Sequence, residues 1–167
     1  MSAPGVLASA SVRRVREALD RAGIRAAIVE LPGAAHTAKA AAAFLGCEVG
    51  QIANSLVFRA AESDRAVLVM SSGAKRVDTA RLAAIVGEPI AKADADFVRA
   101  KTGFAIGGVA PAGHTGDPVT FVDRALAAHA RIWAAAGHPH TVFPLTYAEL
   151  VRLTGGTEAD LAATEPA

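Results

Sequence analysis

Two pairs of apolar runs are joined by links too short to carry the chain back along a sheet. Ile52–Phe58 and Ala66–Met70 are rich in β-branched and aliphatic residues, and the polar stretch Glu62-Ser63-Asp64 lies between them. Arg131–Ala135 and Thr141–Leu145 flank Gly137-His138-Pro139-His140 in the same way. Parallel neighbours need a crossover of about a dozen residues or more, whereas antiparallel neighbours need only a turn. Such spacing argues against a doubly wound fold. It predicts an α+β fold, in which a central mixed, largely antiparallel sheet is flanked by helices within one compact domain.

Local signals place the helices around these strands. Ser11 is positioned to cap a helix in which Val12, Val15 and Leu19 share a face, with Gly23 ending it. Ile24–Leu31 reads as a strand ended by Pro32-Gly33. Thr37 opens an Ala-rich helix closed by Gly46, and Asp78 and Asp94 open helices closed by Gly87 and Gly103. Ser71-Ser72-Gly73 reads as a turn and Phe104-Ala105-Ile106 as a brief strand. Val119–Val122 reads as a strand leading into a short helix capped by Asp123, and Thr146 caps a last helix that ends at Gly155-Gly156. With no repeat and no linker, the domain is expected over residues 11–157, with flexible tails at 1–10 and 158–167.

Composition narrows the partners. Across 167 residues, 17 Lys and Arg face 16 Asp and Glu. That balance excludes a strongly basic coat for DNA, but not a protein that grips only the end of a nucleic acid. With aromatics at 5%, a platform stacking several bases is not expected. The single cysteine, Cys47, allows neither a disulfide within the chain nor a cysteine-only metal site, which suits a reducing compartment. No apolar run approaches a membrane span, and Met1–Val6 lacks the pattern of a signal peptide. A soluble, cytoplasmic protein without a membrane partner is the expectation.

Several residues invite a chemical reading beside a structural one. Gly107-Gly108-Val109-Ala110-Pro111 can bring backbone N–H groups close to a carbonyl oxygen or developing oxyanion, but is also compatible with an ordinary tight turn. His138 and His140 have the spacing of two ligands, and His36 and His114 could join them in a metal site. Pro139 and the lack of a carboxylate in a ligand pattern favour a turn without metal, leaving His114 as a pocket residue. Cys47 shows neither base nor electropositive setting and reads as a small apolar residue. Ser71 and Ser72 lack the glycines of a nucleophile elbow. Arg13, Arg14 and Arg16 read as a solvated helix face, whereas Lys75 and Arg76, beside Gly73 and ahead of a helix start, can receive a phosphate.

From about Ile24 to Gly155 the chain resembles the YbaK/prolyl-tRNA-synthetase-associated domain family. The resemblance rests on ordered segments: Gln51–Phe58, Arg76-Val77-Asp78, Ala93-Asp94, Thr102–Pro111, Val122-Asp123 and Ile132–Gly137. The Thr-Gly-aromatic-x-x-Gly-Gly-x-x-Pro string at 102–111 is the most specific of these. The resemblance implies a trans-acting deacylase that hydrolyses mischarged aminoacyl-tRNA without cofactor or metal. Its pocket would take the aminoacyl-adenosine end of the tRNA. It would be lined by Val109, Ala110, Pro111 and Ala135, with Gly107, Gly108 and Asn54 at the reacting ester; Ser72, at a strand end, and His114, just beyond the loop, are added as pocket residues by their positions. A substrate hydroxyl and a water are then expected to take part, and no protein nucleophile.

Three positions depart from the family pattern. Asn54 stands where a Lys is usual, Ala135 where a Ser is common, and Val142 near the place of a carboxylate. An amide donates hydrogen bonds but carries no charge. Two functions therefore stay open: a deacylase with an altered, less polar pocket, or a non-catalytic module that binds a tRNA end, a nucleotide or a protein.

Overall fold

The computed structural model describes residues 5–166. Its elements in chain order are α1 (Ala10–Arg21), β1 (Val29–Glu30), α2 (Ala38–Leu45), β2 (Ile52–Ala60), β3 (Ala66–Ser72) and β4 (Lys75–Val77). There follow α3 (Thr79–Val86), β5 (Ile90–Lys92), α4 (Ala95–Thr102), β6 (Val119–Asp123), β7 (Ile132–Ala135), β8 (Thr141–Leu145), α5 (Tyr147–Thr154), β9 (Thr157–Ala159) and β10 (Ala162–Pro166). One-turn 3-10 helices lie at Val6–Ala8 and Val49–Gln51, and a longer one spans Arg124–Ala128.

The two short links make antiparallel hairpins, β2 with β3 and β7 with β8. The main sheet runs β1-β8-β7-β2-β3-β6-β9, with β5 also on β2, and β10 pairs with β4 in a separate two-stranded sheet. Parallel contacts join β2 to β7, β3 to β6 and β6 to β9, so the sheet is mixed as expected. At the centre, β3 is buried along its whole length. Its Leu68 and Met70 face a core shared with Val15 and Leu19 of α1, Val98 of α4 and Leu150 of α5. Val67 and Val69 face the opposite core around Leu82 of α3 and Leu161. Helices thus cover both faces of the sheet, and its period-two alternation divides the side chains between them.

Capping chemistry sets most helix starts. Thr37, Asp78, Asp94 and Thr146 each accept a backbone N–H in the first turn of the helix that follows, as their sequence positions predict. The 3-10 helix after β6 is capped likewise by Asp123. Helix α1 differs, because Ser9 rather than Ser11 takes the Val12 N–H and the helix begins at Ala10.

Other expectations need correction. Only Val29–Glu30 of the predicted Ile24–Leu31 strand pairs, with β8. Phe104-Ala105-Ile106 is not a strand. Phe104 buries its ring in the core, and the chain turns through Gly107. Ser71 and Ser72 end β3 rather than form a turn, and Gly73-Ala74 make the turn instead. The chain from 158 is no tail within the described residues. It completes β9 beside β6 and then forms β10 beside β4. At the other end, the expected tail 1–10 includes residues 1–4, outside the described part, while Val6–Ala8 and Ala10 are helical.

Candidate functional site

Strand β2 keeps β3 along one edge from Ala53 to Arg59. Its other edge meets β7 only at Ile52 and Ala53, and β5 only at Phe58–Ala60. From Asn54 to Val57 no strand among the described residues borders that edge, and a small cleft opens beside it. Partings of this kind are where sheets receive ligands, because side chains and backbone groups become available there. Ala38 and Ala41 of α2 form one wall of the cleft, Gly107 and Val109 a second, and Trp133, Ala134 and Ala135 of β7 a third.

Asn54 stands at the mouth. It pairs with Ser71 across β2 and β3, is half-buried, and its amide makes no hydrogen bond among the described residues. It borders both the cleft and a wider groove of about 1550 Å³. Lys39, Lys75 and Arg76 line that groove, with no carboxylate among its lining residues. Leu56 and Phe58 line it too, sharing the Asn54 face of β2. The cleft lining thus mixes apolar side chains with hydroxyls, an amide and an imidazole and holds no Lys, Arg, Asp or Glu, and it shares His36, Thr37, Ala38 and Asn54 with the basic groove.

The glycine loop needs both its glycines. Gly107 has φ +89°, and a Cβ there would lie 3.3 Å from His36 Nδ1 and 3.7 Å from the Pro139 ring. Gly108 packs on the chain itself, where a Cβ would come within 2.9–3.0 Å of the His138 backbone. The Gly108 N–H is not a free donor, because it donates to the Ala105 carbonyl at 3.0 Å and closes the turn. The N–H groups of Gly107, Val109 and Ala110 make no hydrogen bond among the described residues, although Val109 and Ala110 are buried. A buried donor left without a partner is uncommon and points to a ligand oxygen or a water.

The remaining predicted residues divide between cleft and support. Ala135 lines the cleft, and its register partner Val142 lines it too, so two of the departures from the family pattern meet on one apolar wall. Lys75 and Arg76 reach the groove. Ser72, Ala110, Pro111 and His114 do not line the cleft. The buried Ser72 hydroxyl donates to the Gly50 carbonyl at 3.1 Å. Pro111 is buried at the exit of the loop. His114 sits behind it, its Nε2–H donating to the Ala110 carbonyl at 2.8 Å and its ring edge-on to Phe104 at 5.7 Å. Burial, helped by the nearby Arg14 charge, holds the His114 imidazole below its usual pKa and so neutral.

Arg14 departs from the solvated face expected of it. Its Nη2 donates to the Gly103 carbonyl at 2.7 Å, its Nε to Gly113 at 3.1 Å, and its guanidinium lies 5.0 Å from the centre of the Phe104 ring. It therefore clamps both ends of the segment that carries the glycine loop. Cys47 packs beside Ala41, Ala42 and Ile52, and burial raises its thiol pKa, in keeping with the apolar reading. His138 and His140 lie edge to face at 5.2 Å, with His138 Nδ1 accepting the His140 N–H. Among the described residues no three His, Cys, Asp or Glu side chains converge on a metal position. His36 and Trp133, by contrast, face the cleft without having been singled out for it. The sequence raises His36 only as a candidate metal ligand beside His138 and His140.

Residues 33–153 match the aminoacyl-tRNA editing domain family, and the chain belongs to it. Among solved structures it is similar to one described as "Crystal structure of a putative trans-editing enzyme for prolyl tRNA synthetase". Identity there is 44% with a TM-score of 0.86, covering 93% of this chain and 98% of that one. It is also similar to hypothetical protein APE2540, at 26% identity and TM-score 0.83, covering 90% of this chain and 99% of that one. The uncharacterized protein YwhH of Bacillus subtilis (strain 168) is 29% identical over 123 residues, 74% of this chain and 78% of YwhH. Among the described residues no helix is long and apolar enough to cross a membrane.

Proposed function

We propose that the protein is a trans-acting aminoacyl-tRNA deacylase of the cytoplasm, which hydrolyses the ester linking a wrong amino acid to the tRNA end. One observation carries this reading. Gly107 and Val109, whose N–H groups are unbonded among the described residues, and Asn54, whose amide is likewise unbonded, line one cleft that shares residues with a basic groove. The terminal ribose ester sits between loop and amide, and the acceptor-end phosphates follow Lys39, Lys75 and Arg76. The amino-acid side chain lies against Ala135 and Val142, a wall that suits an uncharged group. The loop N–H groups receive the charge that develops on the ester oxygen. Correct placement of the attacking water and the vicinal ribose hydroxyl supplies much of the remaining rate.

The direct test is a panel of mischarged tRNAs assayed for release of free amino acid. Release of at least one above the buffer rate is expected, and none above it for any tRNA ends the deacylase reading. The uncharged Asn54 favours one competing reading, a module that binds the acceptor end without cleaving it. Under that reading only Asn54→Lys releases amino acid, whereas a deacylase releases it with Asn54 in place.

A further inference from the structure

We infer that His36 is a catalytic residue of this site, the group that takes the proton from the attacking water and returns it to the leaving ribose oxygen. The inference rests on the deacylase reading and assigns it a proton carrier.

Its position is built from both sides. The Ala35 N–H donates to the Pro139 carbonyl at 2.9 Å, and Thr37 caps α2 through the Ala40 N–H at 3.0 Å. His36 is held between these anchors. Its Nδ1 would lie 3.3 Å from a Cβ on Gly107, so the ring rests against the glycine whose amide is unbonded. It borders both the cleft and the basic groove, as Asn54 does. The ring makes no hydrogen bond among the described residues, leaving both nitrogens available to water and ester.

Chemistry narrows the choice. Among the described residues lining the cleft, His36 carries the one imidazole, the side-chain type most often used as a general acid or base. The others are apolar residues, hydroxyls and the Asn54 amide. Lys39 on α2 and Lys75 and Arg76 on β4 line the adjoining groove, and a carboxylate close by is Glu30 of β1, which pairs with the cleft residue Thr141 and acts on His138. His138 and His140 flank Pro139 on the segment to which Ala35 is bonded, and the glycine loop bears no charge. With no carboxylate on either lining, a base must come from the substrate or from His36. In the step, the water oxygen bonds to the acyl carbon while His36 accepts the water proton. The acyl carbon–ribose oxygen bond then breaks, and the ribose oxygen takes that proton. The products are the free amino acid and a tRNA with its hydroxyl restored.

The test uses tRNAs charged with alanine, serine, threonine, cysteine or valine, in single-turnover deacylation from pH 5 to 9. His36→Gln keeps a polar group without a titrating proton, and His36→Phe keeps a flat ring that can still stack on a base. Both are expected to lower kcat by about 10²-fold, with KM within a few-fold, and to abolish the fall in rate toward acid pH. Unfolding midpoints unchanged from the parent would show that the fold is intact, since an exposed side chain contributes little. If the parent cleaves a tRNA and His36→Gln matches its rate and pH profile, the inference fails and the deacylase reading stands. Retention of activity by His36→Phe alone also overturns it, because stacking then suffices. A parent inactive on all five tRNAs removes both.

Discussion

Strands β2 and β3 pair residue for residue over seven positions, yet they do opposite things. β3 has a strand on each side, β2 and β6, and every one of its residues is buried. Its sequence, Ala-Val-Leu-Val-Met-Ser-Ser, is nearly unbroken apolar, as a strand covered on both faces requires. β2 has bordering strands on its second edge only near its ends, and its middle residues are half-buried. Two of its three polar residues, Asn54 and Ser55, fall at that gap and line the cleft. A strand with satisfied edges holds the molecule together. The same strand geometry, with four residues lacking a neighbour on one edge, leaves side chains open to the cleft.

The largest expected effect tests the holding half. Leu68 is fully buried in the main core, so Leu68→Ala leaves a cavity and should lower the unfolding free energy by about 2–5 kcal/mol. Urea melts measure that loss, and deacylation per folded molecule should stay close to the parent value. A large fall in activity without loss of stability would mean that β3 reaches the site after all. Asn54→Ala probes the other half. Removing a donor aimed at the developing charge costs about 2.7–4 kcal/mol of barrier, or 10²–10³ in rate. The same melts should shift little, because the Asn54 amide has no partner among the described residues to lose. A stability loss as large as that of Leu68→Ala would make Asn54 a structural residue and erase the contrast.

What could be read from residues alone follows the range of the interaction that makes each feature. Caps depend on three or four neighbouring residues, so Thr37, Asp78, Asp94, Asp123 and Thr146 were legible. The hairpins were legible because short links leave one option. The glycine loop stood out because positive φ and close backbone approach both demand glycine. The short strands β1, β4, β5, β9 and β10 carry too few residues for a period to show, and distant partners select them. Arg14 bonds carbonyls 89 and 99 residues away, which no local pattern announces. His36 meets Gly107 only once the chain has closed. Likewise, the free donor assigned to Gly108 is used inside its own turn, a hydrogen bond that composition does not reveal.

A smaller effect separates the cleft from the groove that leads to it. Lys75 and Arg76 are exposed, so the double change Lys75→Ala with Arg76→Ala should leave stability within about 0.5 kcal/mol of the parent. If each neutralises one phosphate, the dependence of log KM on log salt becomes shallower by about one to two units, with kcat little changed. An unchanged salt slope would move the nucleic acid to another face. This outcome bears on β2 directly, because Leu56 and Phe58 line the same groove on the Asn54 face.

The smallest effect concerns the support behind the loop, which belongs with β3 on the holding side. His114 is kept neutral chiefly by burial, and its Nε2–H bonds the Ala110 carbonyl. Its pKa in the folded protein is below that of the unfolded chain, so on acidification the unfolded state takes up the proton first. Stability from this group is therefore complete above the ordinary histidine range and declines as pH falls through about 6.5 toward the lowered folded value. The urea midpoint should drop between pH 7 and pH 5, and His114→Asn should flatten that slope while lowering the midpoint at pH 7. His36 lies exposed on the opposite side of the same loop, so replacing it should leave the slope as it was. If His36→Gln flattens the stability slope instead, the two histidines have exchanged roles, and the separation of holding from acting groups fails at this loop.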